Sequence, residues 1–163
     1  MGTNHDGEGR DWRRTLAFED LEPGAVYDCE PQSLTAEALV AFAERFDPMP
    51  MHTDPDRAAA GPFGGLLASG LHTLSLSQAA AVEGFYGGSG VVASGGFEEI
   101  GFPAPFRPGE TMRVDVEVID TRGSESDPGR GVVRTRRTGR VGTDDGTKTV
   151  VDAGVVTVWH RDG

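Results

Sequence analysis

The sequence predicts an α+β fold in which an antiparallel β-sheet wraps around one long central helix. Three observations point there. Residues 58–82 contain no Asp, Glu, Lys or Arg in a chain that is 25% charged, and no proline interrupts them after Pro62. Apolar or small side chains then lie all round a helical wheel, the mark of a helix buried on most sides. The second half of the chain holds four strand candidates. Residues 111–121 alternate most cleanly, with Met112, Val114, Val116 and Val118 on one face and Arg113, Asp115 and Glu117 on the other. Finally, the lengths agree. A helix of about 17 residues is roughly 25 Å long, close to the span of a strand of about eight or nine residues. A membrane span is the competing reading of the apolar stretch. Ser69, Gly70, His72, Thr73, Ser75, Ser77 and Gln78 rule it out, since a span needs an apolar run of about 18 residues.

In chain order, residues 1–15 are polar and Gly-rich and predict a flexible tail. Residues 16–163 predict a single domain, long enough for a real core. Phe18 to Gly24 reads as a turn punctuated by Pro23-Gly24, leading into a short strand over residues 25–31. Thr35 is placed to cap a helix, with Glu37 in its first turn where the helix dipole favours negative charge. Leu39, Phe42, Ala43 and Phe46 fall on one apolar face. Pro48 ends that helix near Asp47, and Pro48 and Pro50 stiffen the loop that follows. Asp54-Pro55 predicts a second, short helix through residues 56–59. Gly61 to Gly65 then approach the buried helix, which ends before Gly87-Gly88. Strands are predicted over residues 91–102, 111–121, 131–141 and 149–159. Gly95 and Gly96 bend the first of these, and Asp144-Asp145-Gly146 marks a hairpin before the last. Helices first and four strands after argue an antiparallel sheet.

Composition excludes some partners. The net charge of −11 offers no basic face to nucleic acid or to an anionic membrane; a few Arg residues or helix N-termini could still take a small anion. Cys29 is the only cysteine, so no intrachain disulfide forms and a reducing compartment is expected. There is no apolar signal core near the N-terminus, so the chain reads as cytoplasmic.

Asp47 and His52 stand five apart in the Pro-stiffened loop. A carboxylate and an imidazole brought to one point can hold a water and move its protons. On spacing alone the blander reading stays open, with Asp47 as the end cap after Phe46 and His52 as a surface loop residue. Ser69-Gly70 opens the buried helix, where a glycine lets a carbonyl approach the backbone and helix-terminal N–H groups favour negative charge; Gly70 could equally serve only close packing. His72 reads as a packed histidine bonded to backbone, and His5 and His160 show no partner. His52-x-Asp54 lacks a third metal ligand at a recognisable spacing. Arg134, Arg136, Arg137 and Arg140 read as a solvated strand face, with coenzyme A phosphates as the alternative.

Phe46-Asp47-Pro48-Met49-Pro50-Met51-His52-Thr53-Asp54, followed by Phe63-Gly64-Gly65-Leu66-Leu67-Ala68-Ser69-Gly70-Leu71-His72-Thr73, resembles the MaoC-like dehydratases, which include R-specific enoyl-CoA hydratases. Phe106-Arg107-Pro108-Gly109-Glu110-Thr111 resembles the family's turn before its next strand. The resemblance implies the hotdog fold, a curved antiparallel sheet around a central helix. It implies reversible addition of water to a 2-enoyl thioester, an acyl-CoA or acyl-carrier substrate, and a homodimer or dimer of dimers. Asp47 and His52 match the pair that holds the water, and Gly70 the glycine whose N–H polarises the thioester carbonyl. Ser69, Met49, Gly65 and Leu66 are the implied substrate contacts. No metal or redox cofactor is implied; coenzyme A enters as part of the substrate. Two departures stand out: Met49 where the family usually has Asn or Gln, and Ser69 where hydratases often have His. Two other readings remain open: a non-catalytic subunit binding acyl thioesters, and a hotdog thioesterase using Glu83 on the central helix.

Overall fold

The computed structural model describes residues 14–162. The tail expected over residues 1–15 falls almost wholly outside the described residues, as does His5. Among the described residues a 3-10 turn (Phe18–Asp20) leads to β1 (Val26–Asp28) and β2 (Gln32–Ser33). Three helices follow: α1 (Ala36–Phe46), the single turn α2 (Pro50–Thr53) and α3 (Pro55–Ala60). The long helix α4 (Gly70–Ala81) continues into a π-helical turn (Val82–Tyr86). Four long strands close the chain: β3 (Val91–Gly101), β4 (Thr111–Gly123), β5 (Arg130–Thr143) and β6 (Gly146–His160).

The strands form one antiparallel sheet in the order β1-β4-β5-β6-β3, with β2 also paired to β4. Alternation builds its inner face. Met112, Val114, Val116 and Val118 of β4 are all buried, as are Val133 of β5 and Val151, Val155 and Trp159 of β6. All but Val155 pack in one cluster with Ala80, Ala81, Phe85 and Tyr86 from α4 and its π-helical extension. Burying such side chains, at about 1.5–3 kcal/mol each, is what holds the sheet curled on the helix. Asp144 and Asp145 make the two-residue β5–β6 hairpin, closed by the Thr143 and Gly146 pair. β3 shifts register between Ser94 and Gly96, where the two glycines were expected to bend it.

Several expectations need correcting. The first strand is two short pieces rather than one run over residues 25–31, and β4, β5 and β6 run longer than predicted. The loop after Asp47 contains the helical turn α2. Phe46 does not share the buried face of α1: it is 55% exposed, while Leu39 and Ala43 are buried. Nor is α4 enclosed on most sides. The sheet covers one flank, and Leu71, Ser75, Gln78 and Ala79 remain exposed. Beside this uncharged stripe runs the free edge of β3, with Val92, Phe97 and Ile100 also exposed. No helix among the described residues is long and apolar enough to cross a membrane.

Candidate active site

Asp47 ends α1. Its N–H donates to the Ala43 carbonyl at 2.8 Å, and its backbone then leaves helical geometry. Pro50 begins α2 at the position where a missing N–H costs nothing. This single turn carries His52 inward, to 4% exposure. His52 Nδ1 lies 2.7 Å from the Leu67 carbonyl oxygen. A carbonyl can only accept, so Nδ1 carries the proton and Nε2 is left facing Asp47 Oδ2, 3.6 Å away. That separation is too long for a direct hydrogen bond. It suits two acceptors sharing a third group that donates to both.

Asp47 is held from a second direction. Ser69 Oγ donates to Asp47 Oδ2 at 2.7 Å, and the same oxygen accepts from the Leu71 N–H at 3.2 Å as the N-cap of α4. Ser69 is 1% exposed. One buried hydroxyl thus joins the end of α1 to the start of α4.

Gly70 is the first residue of α4, where N–H groups have no carbonyl to serve within the helix and the dipole is positive. The Phe102 ring lies directly over it. A Cβ at position 70 would come within 2.6, 2.7 and 2.9 Å of three ring atoms, so only glycine admits this approach. His52 and Gly70 line one cavity of about 240 Å³, walled by Met51, Phe63, Phe102 and Phe106. His52 and Gly70 stand in the walls of this cavity; Asp47 and Ser69 are not among its lining residues, and Asp47 adjoins it only through its contacts with His52 and Ser69.

The other sequence candidates lie elsewhere. Met49 is exposed and lines a neighbouring groove with Arg57 and Phe63. Gly65 and Leu66 do not line the cavity. Their carbonyls each accept from Arg107 Nη1 at 3.4 Å, while Arg107 Nη2 donates to the Phe63 carbonyl at 2.6 Å. Arg107 therefore clamps the loop that delivers Ser69-Gly70. Glu83 sits in the π-helical turn, thirteen residues or roughly 20 Å along the axis from Gly70. Asp54 Oδ1 is used as the cap of α3, accepting from the Asp56 and Arg57 amides.

The remaining polar residues correct the bland readings. His72 stacks on Phe42 at 4.3 Å, and its buried Nδ1 has no hydrogen-bond partner, so it is not bonded to backbone there. Burial pushes its imidazole below the ordinary value of 6.5. His160 Nδ1 does have a partner, Arg130 Nη1 at 2.6 Å. Arg134, Arg136 and Arg140 pair with Glu98, Asp152 and Asp115. Arg137 is not solvated at all: it is fully buried, bonded to Ser77 Oγ and Gln78 Oε1, with Nε unpartnered. Sequence reasoning missed Phe102 and the Arg107 clamp. Phe102 ends a predicted strand and Arg107 stands in the quoted turn, but their roles depend on contacts 32 to 44 residues away.

The MaoC like domain family model matches residues 19–141. A 3-hydroxybutyryl-CoA dehydratase of Methylorubrum extorquens is 35% identical over 108 residues, covering 66% of this chain and 66% of that protein. The match thus spans just under two thirds of the relative's length. The crystal structure of a MaoC-like dehydratase from Rhodospirillum rubrum superposes with a TM-score of 0.80 at 31% identity, over 91% of this chain and 99% of that one. A Mycobacterium tuberculosis protein with a double hotdog fold gives a TM-score of 0.70 at 22% identity, over 91% of this chain and 45% of that one. The fold is therefore a hotdog.

Proposed function

Since this chain belongs to the MaoC-like dehydratase family, we propose that it is a hydro-lyase that adds water across the double bond of a 2-enoyl thioester and removes it in reverse. One observation carries the reading. His52 Nδ1 is committed to the Leu67 carbonyl, so Nε2 faces Asp47 Oδ2 at 3.6 Å beside the cavity that Gly70 lines. A water donating one hydrogen to each acceptor would present its lone pair to C3.

In the forward direction the water oxygen bonds to C3 and one of its protons passes to the Asp47–His52 pair. The electrons of the double bond move through C2 onto the thioester oxygen. The Gly70 N–H, at the positive end of α4, meets that developing charge. The pair then returns a proton to C2, so one water is added and nothing is oxidised or reduced. An oxyanion donor is worth roughly a hundred- to a thousand-fold, and acid–base catalysis roughly a hundred- to ten-thousand-fold. Ser69 holds the carboxylate rather than the substrate. Phe102, Phe63 and Met51 give the acyl chain an apolar wall.

The active unit in this reading is a homodimer. The free β3 edge is a row of unpaired backbone groups. Together with the uncharged exposed stripe of α4 it frames an apolar groove of about 500 Å³, lined by Gln78, Val82, Tyr86 and Phe97. A second copy pairing along β3 would cover all three. Phe97→Glu should then yield a monomer in sedimentation; a monomer before mutation would defeat the assembly proposal.

The deciding experiment is loss of the conjugated thioester absorbance of crotonyl-CoA and longer enoyl-CoAs. Turnover abolished by Asp47→Asn and by His52→Ala supports the hydro-lyase. Saturable acyl-CoA binding without turnover at any chain length would favour a non-catalytic binding subunit instead.

A further inference from the structure

The catalytic cavity has a neighbour. Met51 and Phe63 line both it and a second groove of about 240 Å³ between α2 and α3, so the two adjoin across these side chains. Two exposed apolar side chains flank that groove, Met49 at 51% and Phe63 at 47% exposure. Its one charged side chain is Arg57. In a chain of net charge −11, Arg14, Arg130, Arg134, Arg136, Arg140 and Lys148 each meet a carboxylate, while Arg57, like Arg45, Arg113, Arg122 and Arg161, is in none of these pairs. The Arg57 guanidinium meets none among the described residues. Two acids stand close to it in sequence: Asp54, the cap, is turned into backbone amides, including that of Arg57, and Asp56, in the first turn of α3, forms no ion pair with it. Arg107 faces the same loop but is bound to three main-chain carbonyls.

We propose that this groove takes the carrier arm of the substrate, and that Arg57 is the contact for the phosphate of a 4′-phosphopantetheine group. The inference rests on the thioester reading above and adds to it where the carrier lies. The chemistry fits the surface. The apolar methyls of a pantetheine arm would cover Met49 and the outer side of Phe63, both about half exposed. A guanidinium without a carboxylate is a ready bidentate partner for a phosphate. Coenzyme A and a phosphopantetheinylated acyl carrier protein present this same group, so Arg57 serves either. Met49 fits this place too: at the groove wall an amide is not needed, and a flexible thioether packs against an alkyl arm.

The test compares crotonyl esters of coenzyme A, of 4′-phosphopantetheine and of N-acetylcysteamine, which lacks phosphate. With Arg57→Glu, KM for both phosphate-bearing esters should rise about tenfold while kcat holds, and KM for the N-acetylcysteamine ester should not shift. Arg57→Lys should recover most of the loss. A rise on the coenzyme A ester alone would move the contact to the nucleotide phosphates and overturn the pantetheine assignment. Equal KM shifts on all three esters, or none, would overturn the proposal outright. If no ester is turned over, the hydro-lyase reading fails separately. Calorimetric titration of coenzyme A then decides the groove: binding weakened by Arg57→Glu sustains it, and unchanged binding refutes it.

Discussion

Replacing Ser69 by alanine removes one oxygen that serves two masters. As the N-cap of α4 it accepts from the Leu71 N–H at 3.2 Å, and losing such a cap costs about 1 kcal/mol. As a donor it holds Asp47 Oδ2 at 2.7 Å. That bond is charge-assisted, but the Asp47 side chain keeps 28% exposure, so water replaces part of it and about 1 kcal/mol is a fair loss. The sum, about 2 kcal/mol, lowers Tm by about 4–8 °C in a chain of this size. The functional cost is larger. Without Ser69 the carboxylate is anchored only by its own backbone and leaves the 3.6 Å relation to His52 Nε2. A displacement near 1 Å in a reacting group costs on the order of a hundred-fold. The assay is a thermal melt paired with kcat and KM on crotonyl-CoA. Asp47→Asn is the companion, since its amide oxygen still accepts from Ser69: it should melt within about 2 °C of the parent while losing turnover. Ser69→Ala with undiminished kcat would refute the idea that this hydroxyl positions the carboxylate.

Three further outcomes follow from other contacts. Gly70→Ala places a methyl within 2.9 Å of the Phe102 ring; that ring is 44% exposed and can swing, so stability should change by only about 1 kcal/mol, while the added methyl holds the thioester carbonyl off the retained N–H of position 70 and kcat falls on the order of a hundred-fold, read by melt and turnover together. His72 is held below its usual 6.5 by burial, so below that pH the unfolded chain binds a proton that the folded chain refuses. Stability should therefore be full above the unfolded value and decline as pH falls below it, and His72→Phe, which keeps the stack on Phe42, should flatten that slope in urea titrations. Arg137→Met should leave Tm unchanged or raise it, because a buried guanidinium with only neutral partners recovers little of its desolvation cost; a loss above about 3 kcal/mol would reveal a carboxylate reaching it from a second copy.

How much of this was written in the residue order differs by element. The β4 alternation placed Met112 to Val118 on the inner face because strand geometry is set by neighbours two apart. The same rule, applied to β5, puts Arg137 inside with Val133 and Thr135. Composition argued the other way there, since arginines are seldom buried. The presence of α4 was legible from its lack of charge, but its start at Gly70 and its exposed stripe were not, because a wheel of small residues does not say where the helix begins or which side the sheet will cover. At the site, the local pieces were visible: the Asp47 stop, the helix start at Asp54-Pro55 and Ser69-Gly70 near the opening of the buried helix; that Ser69 caps it was not. His52 as a buried side chain was not, since its burial depends on the Leu67 carbonyl fifteen residues on. The Phe102 ring over Gly70 and the Arg107 clamp are long-range contacts with no local signature.

The most direct measurement uses crotonyl-CoA in heavy-oxygen water with mass analysis of the product. The account predicts the label on the C3 hydroxyl of an intact thioester, formed by the parent chain and lost in Asp47→Asn. Label in a freed carboxylate would mean thioester hydrolysis, and no labelled product from any enoyl chain length would mean that Asp47 and His52 do not activate water for addition.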